Sequence, residues 1–429
     1  DDLNTEDPRG RSALRESYAY WIREVGVDAF RVDTAFYVPQ DFYADFLFSK
    51  DRANPGIDRV ARGTGKNGFL VFGEGFGIDA RGSNAVSRQI ESYMTGPRGQ
   101  PLMNGMLNFP LYGALNHVIA RGKPPSELGE RIASMMKIHP RAHWMPTFLD
   151  NHDVDRFLAA GSTAALKQGL LALMTLPGIP VIYYGTEQGF NVPRAAMFKA
   201  GYHSGGFDRF DRDSELYRHI QAVSALRRAN RALSRGMPRI LYANDAQPGA
   251  LVWEMRHGSD RLVVALNTSE RESFAAVPAG LAPGAWLAGL YAIDGQVPDQ
   301  QADRAGRLAL VLPPRAGRVW RVKSALATEA PAVRTSVLKA GPVQFDGRAG
   351  VAHLSGHAMP NTALRVVLDG DLARASLVRA DAAGRWRTML DGASLVDPSQ
   401  RHDVVALTPD SGPGSPGMSN TVSFHARPA

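Results

Sequence analysis

Three short segments of the chain each place an acidic residue at the end of an apolar, strand-like run. They are AFRVD at residues 29–33, FGEGF at residues 72–76 and FLDNHD at residues 148–153. Cleaving a glycosidic bond with retention needs one carboxylate as nucleophile and one carboxylic acid as proton donor, about 5–5.5 Å apart. One such segment would carry little information, whereas three in this order predict a set of catalytic acids.

The neighbours of these acids indicate different tasks. Strand side chains alternate, so Arg31 and Asp33 lie on one side of their strand, and Arg31 favours the ionised carboxylate that a nucleophile requires. Glu74 follows the apolar run FLVF, and partial desolvation is expected to raise its pKa and keep it protonated. Asp153 follows His152, and both are candidates to contact a sugar. Each acid alone is better explained as a strand-end turn or helix cap; their combination favours catalysis.

The composition is that of a globular protein and excludes several classes. The chain has 429 residues, 44% of them hydrophobic and 21% charged, which is enough for two or three domains. The net charge of +7 comes from scattered basic residues, so we interpret it as a solvated surface rather than a nucleic-acid site. Apolar runs are too short for a membrane span. The sequence has no cysteine, which excludes disulfides and thiolate metal sites.

Alternating strands and helices must position these acids. The first helix is predicted to begin at Asp7-Pro8 and to stop at Gly26. Continuous apolar strands separated by helices predict a parallel sheet covered on both faces. Since functional residues follow several strands, the pattern favours a (β/α)₈ barrel of the TIM type. The five predicted strands are DAFRVD, FLVFGE, GMLNFP, MPTFLDN and IPVIYYG, at residues 28–33, 69–74, 105–110, 145–151 and 179–185.

A barrel needs eight strands, so we expect three more to precede residue 1 and the chain to be an N-terminally truncated piece. Residues 1–236 would then form the C-terminal part of the barrel. Short alternating runs predict an all-β sandwich at residues 237–323, an Ala/Pro/Thr-rich linker at 324–335, and an immunoglobulin-like β-sandwich at 336–429. In this last module, Gly356 is among the predicted turn residues. Trp386 is the best aromatic candidate for a starch-stacking platform, although a strand Trp is more often core.

Four segments together carry a resemblance to a known family. GVDAFRVDTAFYVP, VFGEGF, FLDNHD and LPGIPVIYYGTEQGF resemble sequence regions of the α-amylase family of glycoside hydrolases, glycoside hydrolase family 13. The resemblance covers roughly residues 1–323, including the β-sandwich that follows the barrel in that family.

The resemblance implies a role for each matching residue. Asp33 matches the nucleophile that forms a β-glycosyl-enzyme intermediate, and Glu74 matches the acid/base. Asp153 matches the third carboxylate, which stabilises the transition state and binds sugar hydroxyls. Arg31 and His152 match the residues that orient the nucleophile and the sugar.

Two departures from the family pattern bear on specificity. Many α-amylases have Lys-His where this chain has Phe36-Tyr37, and an aromatic pair could stack an acceptor sugar or be simple wall packing. The resemblance implies that the family's Asn-His region would lie before residue 1, and that the family's usual calcium site draws on that region. We therefore expect no cofactor for the chemistry and predict no metal ligands here, with a structural Ca²⁺ left open. Arg194, in PRAAMF, is a candidate for a family arginine that follows the eighth strand.

The sequence predicts a retaining α-glucan hydrolase that cleaves α-1,4 bonds of starch or maltooligosaccharides. One alternative is an α-glucan transglycosylase or a small-oligosaccharide-acting relative, suggested by Phe36-Tyr37. Another is a non-catalytic glucan-binding protein, suggested by the short barrel and the added β module. We expect an α-glucan as substrate, no nucleic-acid partner and a monomer. We also expect secretion or a periplasmic location, because polymeric starch cannot enter a cell.

Overall fold

A computed structural model describes residues 3–295, 297–323, 338–346, 351–390, 395, 397, 399–408 and 417–426. The chain forms two compact units. The first comprises Asp1–Ala114, Ser134–Asn151 and Pro177–Tyr183, and the second comprises Leu115–Ala133, His152–Leu176 and Tyr184–Ala429. The linker predicted at residues 324–335 lies outside the described residues. Within them, no helix is long and apolar enough to cross a membrane.

The first helix follows the sequence closely. The Asp7 side chain accepts a hydrogen bond from the backbone N–H of Arg9, and Pro8 occupies the first turn. A π-helical turn at Trp21–Val25 extends this helix to Gly26, whose φ of 78° ends it as predicted. The described helices are α1 Pro8–Tyr20, α2 Gln40–Phe48, α3 Ile57–Gly63, α4 Ala85–Met94, α5 Phe109–Leu115, α6 Pro125–Ile138, α7 Thr163–Thr175, α8 Glu215–Ala229 and α9 Arg231–Arg235.

The first unit contains short strands at all five predicted positions. They are β1 Ala29–Val32, β2 Leu70–Gly73, β3 Gly105–Met106, β4 Pro146–Thr147 and β5 Ile179–Pro180. β1, β2 and β3 form a parallel sheet in that order, and β4 pairs with β5, also in parallel. Phe30 and Val32 pack against a buried cluster that includes Ile22, Tyr43 and Ile90. This packing leaves the opposite side of β1, including Arg31, for the site.

Residues 237–323 form an antiparallel β structure in the second unit. A six-stranded sheet and a two-stranded sheet share a core that includes Val252, Trp320 and Leu310. The runs ALVWEMRH, RLVVALNT, RLALVLPP and RVWRVK all contain strands, as predicted. The strands are β6 Met237–Ala243, β7 Ala250–His257, β8 Asp260–Asn267, β9 Ser273–Val277, β10 Trp286–Ala292, β11 Gln300–Gln301, β12 Leu308–Leu312 and β13 Gly317–Lys323; the sheet orders are β11-β10-β13-β8-β7-β6 and β12-β9.

The described residues of the last β module form two four-stranded sheets. Leu354 and Trp386 of one sheet share a core with Val366 and Val404 of the other. The strands are β14 Lys339–Ala340, β15 Gln344–Asp346, β16 Val351–His357, β17 Ala363–Leu368, β18 Ser376–Arg379, β19 Arg385–Leu390, β20 Arg401–Leu407 and β21 Val422–His425. One sheet has the order β14-β16-β15 with β19 also paired to β16, and the other has the order β18-β17-β20-β21. The exact domain boundaries stay predictions.

One sequence-based expectation for this module, the turn at Gly356, is wrong, and another, that a strand Trp is more often core, is confirmed at Trp386. Gly356 lies inside β16 rather than in a turn. Glycine is needed there because a Cβ atom would lie 2.4 Å from the Trp386 ring. Trp386 itself is only 2% exposed and belongs to the core. The missing side chain of Gly356 makes room for the indole, so Trp386 is not a platform for a sugar.

Candidate active site

Arg31, Asp33 and Glu74 come together at the ends of two neighbouring strands of the first unit. The parallel register pairs Val32 with Gly73, and the backbone N–H of Glu74 donates to the carbonyl of Val32 at 2.7 Å. Arg31 Nη1 lies 2.8 Å from Asp33 Oδ1, and Arg31 Nη2 lies 3.7 Å from Glu74 Oε2. One guanidinium therefore bridges both carboxyl groups.

Glu74 is the buried member of this group, with 9% of its side chain exposed. Burial raises its pKa, and the hydrogen bond and charge of the Asp33 side chain raise it further. The backbone N–H of Thr34, which donates to Glu74 Oε2 at 3.2 Å, and the charge of Arg31 act in the opposite direction. The net shift of the Glu74 pKa is upward, as the apolar run before it predicted.

Thr34 places its N–H by adopting an unusual backbone conformation. Its φ of 46° lies in the left-handed region, which is strained for a β-branched residue. Strain of this kind persists where the surrounding structure fixes it, and here the following N–H, of Ala35, donates to the Glu74 carbonyl at 2.8 Å. The turn after β1 is thus fastened to Glu74 by two backbone donors.

The chemistry available to the pair follows from their unequal surroundings. Two carboxyl groups in hydrogen-bonding contact favour sharing one proton rather than both being ionised. Glu74 is desolvated, while Asp33 is 65% exposed and has the closer contact with Arg31. This division favours a protonated Glu74 beside an anionic Asp33, which is the combination that a retaining glycosidase uses.

The aromatic pair after Asp33 divides into one packed ring and one exposed ring. Phe36 lies 5.1 Å from Tyr93 between ring centroids, and a Cβ atom on Gly75 would lie 2.4 Å from the Phe36 ring. Phe36 is therefore wall packing against the GEG segment. Tyr37 is 89% exposed, so the possibility of stacking a sugar applies to Tyr37 alone.

His152, Asp153 and Arg194 form a separate polar group in the second unit. His152 Nε2 lies 2.9 Å from Asp153 Oδ2, and Arg194 Nη2 lies 3.3 Å from Asp153 Oδ1. Arg194 Nε also donates to the His152 carbonyl at 2.9 Å. The carboxylate of Asp153 is thus oriented by an imidazole on one oxygen and a guanidinium on the other.

The structure therefore gathers the predicted residues into two groups, and their roles stay predictions. Sequence reasoning missed the Thr34 N–H and the contact between Phe36 and Gly75, because neither a left-handed threonine nor a close ring contact leaves a local pattern. Among the residues that the structure describes, no group of three or more His, Cys, Asp or Glu side chains could hold a metal ion. A structural Ca²⁺ stays a prediction.

Comparison with known sequences agrees with this geometry. Residues 1–205 match the family model Alpha-amylase, described as "Alpha amylase, catalytic domain". An α-amylase of Streptomyces lividans is 30% identical over 446 residues, covering 95% of this chain and 44% of that protein. A cyclomaltodextrin glucanotransferase of Klebsiella oxytoca is 27% identical over 314 residues, covering 66% of this chain and 46% of that protein. The chain spans about half the length of these curated relatives.

Solved structures show the same fold. An α-amylase of Anoxybacillus matches with a TM-score of 0.60 and 22% identity, over 76% of this chain and 66% of that chain. A γ-cyclomaltodextrin glucanotransferase of an alkalophilic Bacillus clarkii matches with a TM-score of 0.56 and 22% identity, over 98% of this chain and 56% of that one. The fold is a TIM-type α/β barrel with additional β domains. That β1–β5 are the last five of eight barrel strands stays a prediction.

Proposed function

We propose, from the premise that this chain belongs to the α-amylase family of glycoside hydrolases, that it cleaves α-1,4-glucosidic bonds of starch or maltooligosaccharides with retention. The observation that carries the proposal is the pairing of a desolvated Glu74, whose pKa is raised, with Asp33 under the shared guanidinium of Arg31. The relatives named as α-amylase and cyclomaltodextrin glucanotransferase support an α-glucan as substrate.

The proposed reaction has two steps. The Glu74 carboxylic acid protonates the glycosidic oxygen while the Asp33 carboxylate attacks the anomeric carbon, so the glycosidic C–O bond breaks and a β-glycosyl ester forms on Asp33. The Glu74 carboxylate then takes a proton from water, whose oxygen attacks the same carbon and releases Asp33. Two inversions give net retention. Arg31 keeps the Asp33 oxygen aimed, and Asp153 takes its role as third carboxylate from the family motif.

Transfer to a second sugar is the alternative that one observation favours. If an acceptor hydroxyl replaces water in the second step, the same residues make a new glucosidic bond. The exposed ring of Tyr37, four residues after Asp33, is available to hold such an acceptor. Products made from concentrated maltotriose separate the two activities, because oligomers longer than maltotriose require transfer.

A non-catalytic glucan-binding role has less support. A binding surface has no need to keep Glu74 in the desolvated contact with Asp33 that the structure shows, because that contact costs free energy. Starch degradation outside the cytoplasm follows from the proposed substrate, since the polymer does not enter cells, and a monomeric state stays a prediction.

The test is reducing-end release from soluble starch by the chain and by its Asp33→Asn and Glu74→Gln variants. The kcat of each variant is expected to fall about 10²- to 10⁴-fold, while each variant still binds substrate. The matched control is Glu16→Gln, which alters an exposed carboxylate on α1. Substantial residual turnover in either active-site variant would refute the assignment. A slow fluorinated maltosyl substrate should leave a covalent adduct on Asp33 that is detectable by mass spectrometry.

A further inference from the structure

Four aromatic rings are exposed within thirteen residues of the second unit. Phe198, Tyr202, Phe207 and Phe210, which we call the ring surface, are 68%, 64%, 67% and 54% exposed. Aromatic side chains carry a large apolar area and are normally buried, so a cluster left in water marks a binding surface more often than a packing accident. Phe198 closes the segment PRAAMF that contains Arg194, and the sequence motifs assign a role to none of the four rings.

The segment that carries the ring surface is fixed by its own hydrogen bonds. The N–H of Ala196 donates to the Tyr202 carbonyl at 2.7 Å, and the N–H of Arg209 donates to the Met197 carbonyl at 2.8 Å. Ser204 is buried beneath the turn, and its carbonyl accepts two bonds from the Arg209 guanidinium at 3.1 Å. The rings are therefore presented by an ordered segment, which reduces the entropy lost when a ligand binds.

The rings do not bury one another. Phe198 and Phe210 meet edge to face with centroids 5.2 Å apart, and both stay more than half exposed despite this contact. Gly205 and Gly206, with φ values of 72° and 79°, form a left-handed turn that only glycine adopts without strain, and Phe207 directly follows that turn. The turn thus carries Phe207 outward instead of into the core.

Both ends of this segment are attached to groups already described. It begins just after Arg194, whose guanidinium contacts Asp153 and the His152 carbonyl. At its far end, Gln188 and Asp211 exchange two hydrogen bonds of 2.9 and 3.0 Å. The ring surface is therefore continuous along the chain with the polar group that contains the third carboxylate of the proposed function.

We propose that the ring surface binds a run of α-1,4-linked glucose units in addition to the residues that cleave the bond. A pyranose ring has an apolar C–H face that stacks on an aromatic ring and a rim of hydroxyls that need polar partners. Lys199, His203 and Asp208 lie between the rings in sequence and supply such partners at the surface. The identity of the sugar rests on the proposed function, whereas the presence of a binding surface rests on the exposed rings.

The test is calorimetric titration of maltoheptaose into the full chain carrying Glu74→Gln, so that the ligand is not consumed. Adding Phe198→Ala, Tyr202→Ala and Phe207→Ala together is expected to weaken binding about 10- to 100-fold, from a few-fold for each lost stacking contact. Tyr20→Ala in the same background removes a ring of α1 that is 56% exposed and is expected to leave the affinity unchanged.

A second set of variants guards against misfolding. Phe198→Tyr with Phe207→Tyr keeps the flat faces and is expected to retain the affinity, which would support stacking. Unchanged affinity in the triple alanine variant overturns the inference, as does an undetectable affinity of the Glu74→Gln protein for maltoheptaose. Equal affinity for cellohexaose, a β-linked glucan, overturns the assignment to α-glucan. If the triple alanine variant has a changed sedimentation coefficient but an unchanged affinity for maltoheptaose, the ring surface is a protein contact and the inference is overturned.

These outcomes separate the inference from the proposed function. If the chain releases no reducing ends but loses maltoheptaose binding in the triple variant, the ring surface stands and the hydrolase proposal fails. If the triple variant hydrolyses both maltotriose and amylose with unchanged KM, the hydrolase proposal stands and the ring surface fails. If both proposals are correct, the triple alanine variant has an unchanged KM for maltotriose and a KM for amylose raised about 10-fold or more.

Discussion

Glu74 and Asp153 are both acidic residues of sequence motifs, yet their surroundings differ. Glu74 is desolvated and contacts another acid, and its pKa is raised. Asp153 is more exposed, and its two oxygens each face a basic side chain, His152 and Arg194. The first environment favours a group that holds a proton, and the second fixes the position of both carboxylate oxygens. Burial and partners, rather than residue type, decide which task a carboxyl group can perform.

The two arginines differ in the same way. Arg31 lies between two carboxyl groups and acts on both of them. Arg194 binds one carboxylate and one backbone carbonyl. Replacing Arg31 should therefore change the balance between two titrating groups, whereas replacing Arg194 should loosen the position of one.

The largest expected effect separates proton donation from charge stabilisation. Glu74→Gln should lower kcat on starch about 10²- to 10⁴-fold, because no acid protonates the leaving oxygen. On α-maltosyl fluoride, whose leaving group needs no proton, the first step should stay within about tenfold of the unmodified chain. The measurement is the initial burst of fluoride release. An equal loss on both substrates would show that Glu74 is not the acid.

Asp153→Asn should show the opposite dependence on the leaving group. We expect kcat to fall about 10²- to 10³-fold on starch and on α-maltosyl fluoride alike, because a charge that stabilises the transition state is needed whichever group departs. Parallel kinetics on the two substrates test this. A loss confined to starch would place Asp153 in proton transfer instead.

Arg31→Gln should move the alkaline limb of the pH profile of kcat/KM to higher pH. The charge of Arg31 lowers the Glu74 pKa, so its removal raises that pKa and keeps Glu74 protonated to a higher pH. Arg194→Gln is the control and should leave the alkaline limb in place. A downward shift in Arg31→Gln would contradict the bridging role.

The aromatic pair predicts a difference in stability of a few kcal/mol. Phe36→Ala removes a ring packed against Gly75 and Tyr93 and should cost about 2 kcal/mol, somewhat less than a fully buried Phe. Tyr37→Ala should stay within about 0.5 kcal/mol, because the ring is exposed, but should change the ratio of transfer to hydrolysis. Denaturant unfolding and maltotriose products measure these effects. A larger loss of stability in Tyr37→Ala than in Phe36→Ala would show that Tyr37, rather than Phe36, is the packed ring.

The smallest expected effect is the dependence of stability on pH at Glu74. A carboxyl group whose pKa is raised on folding stabilises the fold fully below its unfolded pKa, near 4.5, and loses that contribution as pH rises through the folded pKa. Glu74→Gln should therefore gain stability relative to the unmodified chain between pH 4 and pH 7, by roughly 0.5–1.5 kcal/mol. Unfolding midpoints of both proteins at pH 4 and pH 7 test this. If the stability of Glu74→Gln relative to the unmodified chain falls as the pH rises from 4, the upward shift of the Glu74 pKa is contradicted.

The strands and the acids were predictable because their signal is local. A run of apolar residues ending in an acid, as in AFRVD, specifies both a buried strand and a polar end. The cap at Asp7-Pro8 and the stop at Gly26 are likewise properties of a few adjacent residues. Gly356 shows where this reasoning fails, since the Trp386 indole occupies the space that glycine leaves and that contact joins residues thirty positions apart.

The sequence alone determined the order of strands, the family and the acids, because each is written in residues that are adjacent along the chain. Tertiary structure decided how those acids differ: that Arg31 bridges Asp33 and Glu74, and that Thr34 turns its N–H onto Glu74. It also decided that Phe36 packs while Tyr37 is exposed. These outcomes depend on distance and on water exclusion between segments far apart in sequence. A pKa responds to those quantities rather than to the types of the adjacent residues.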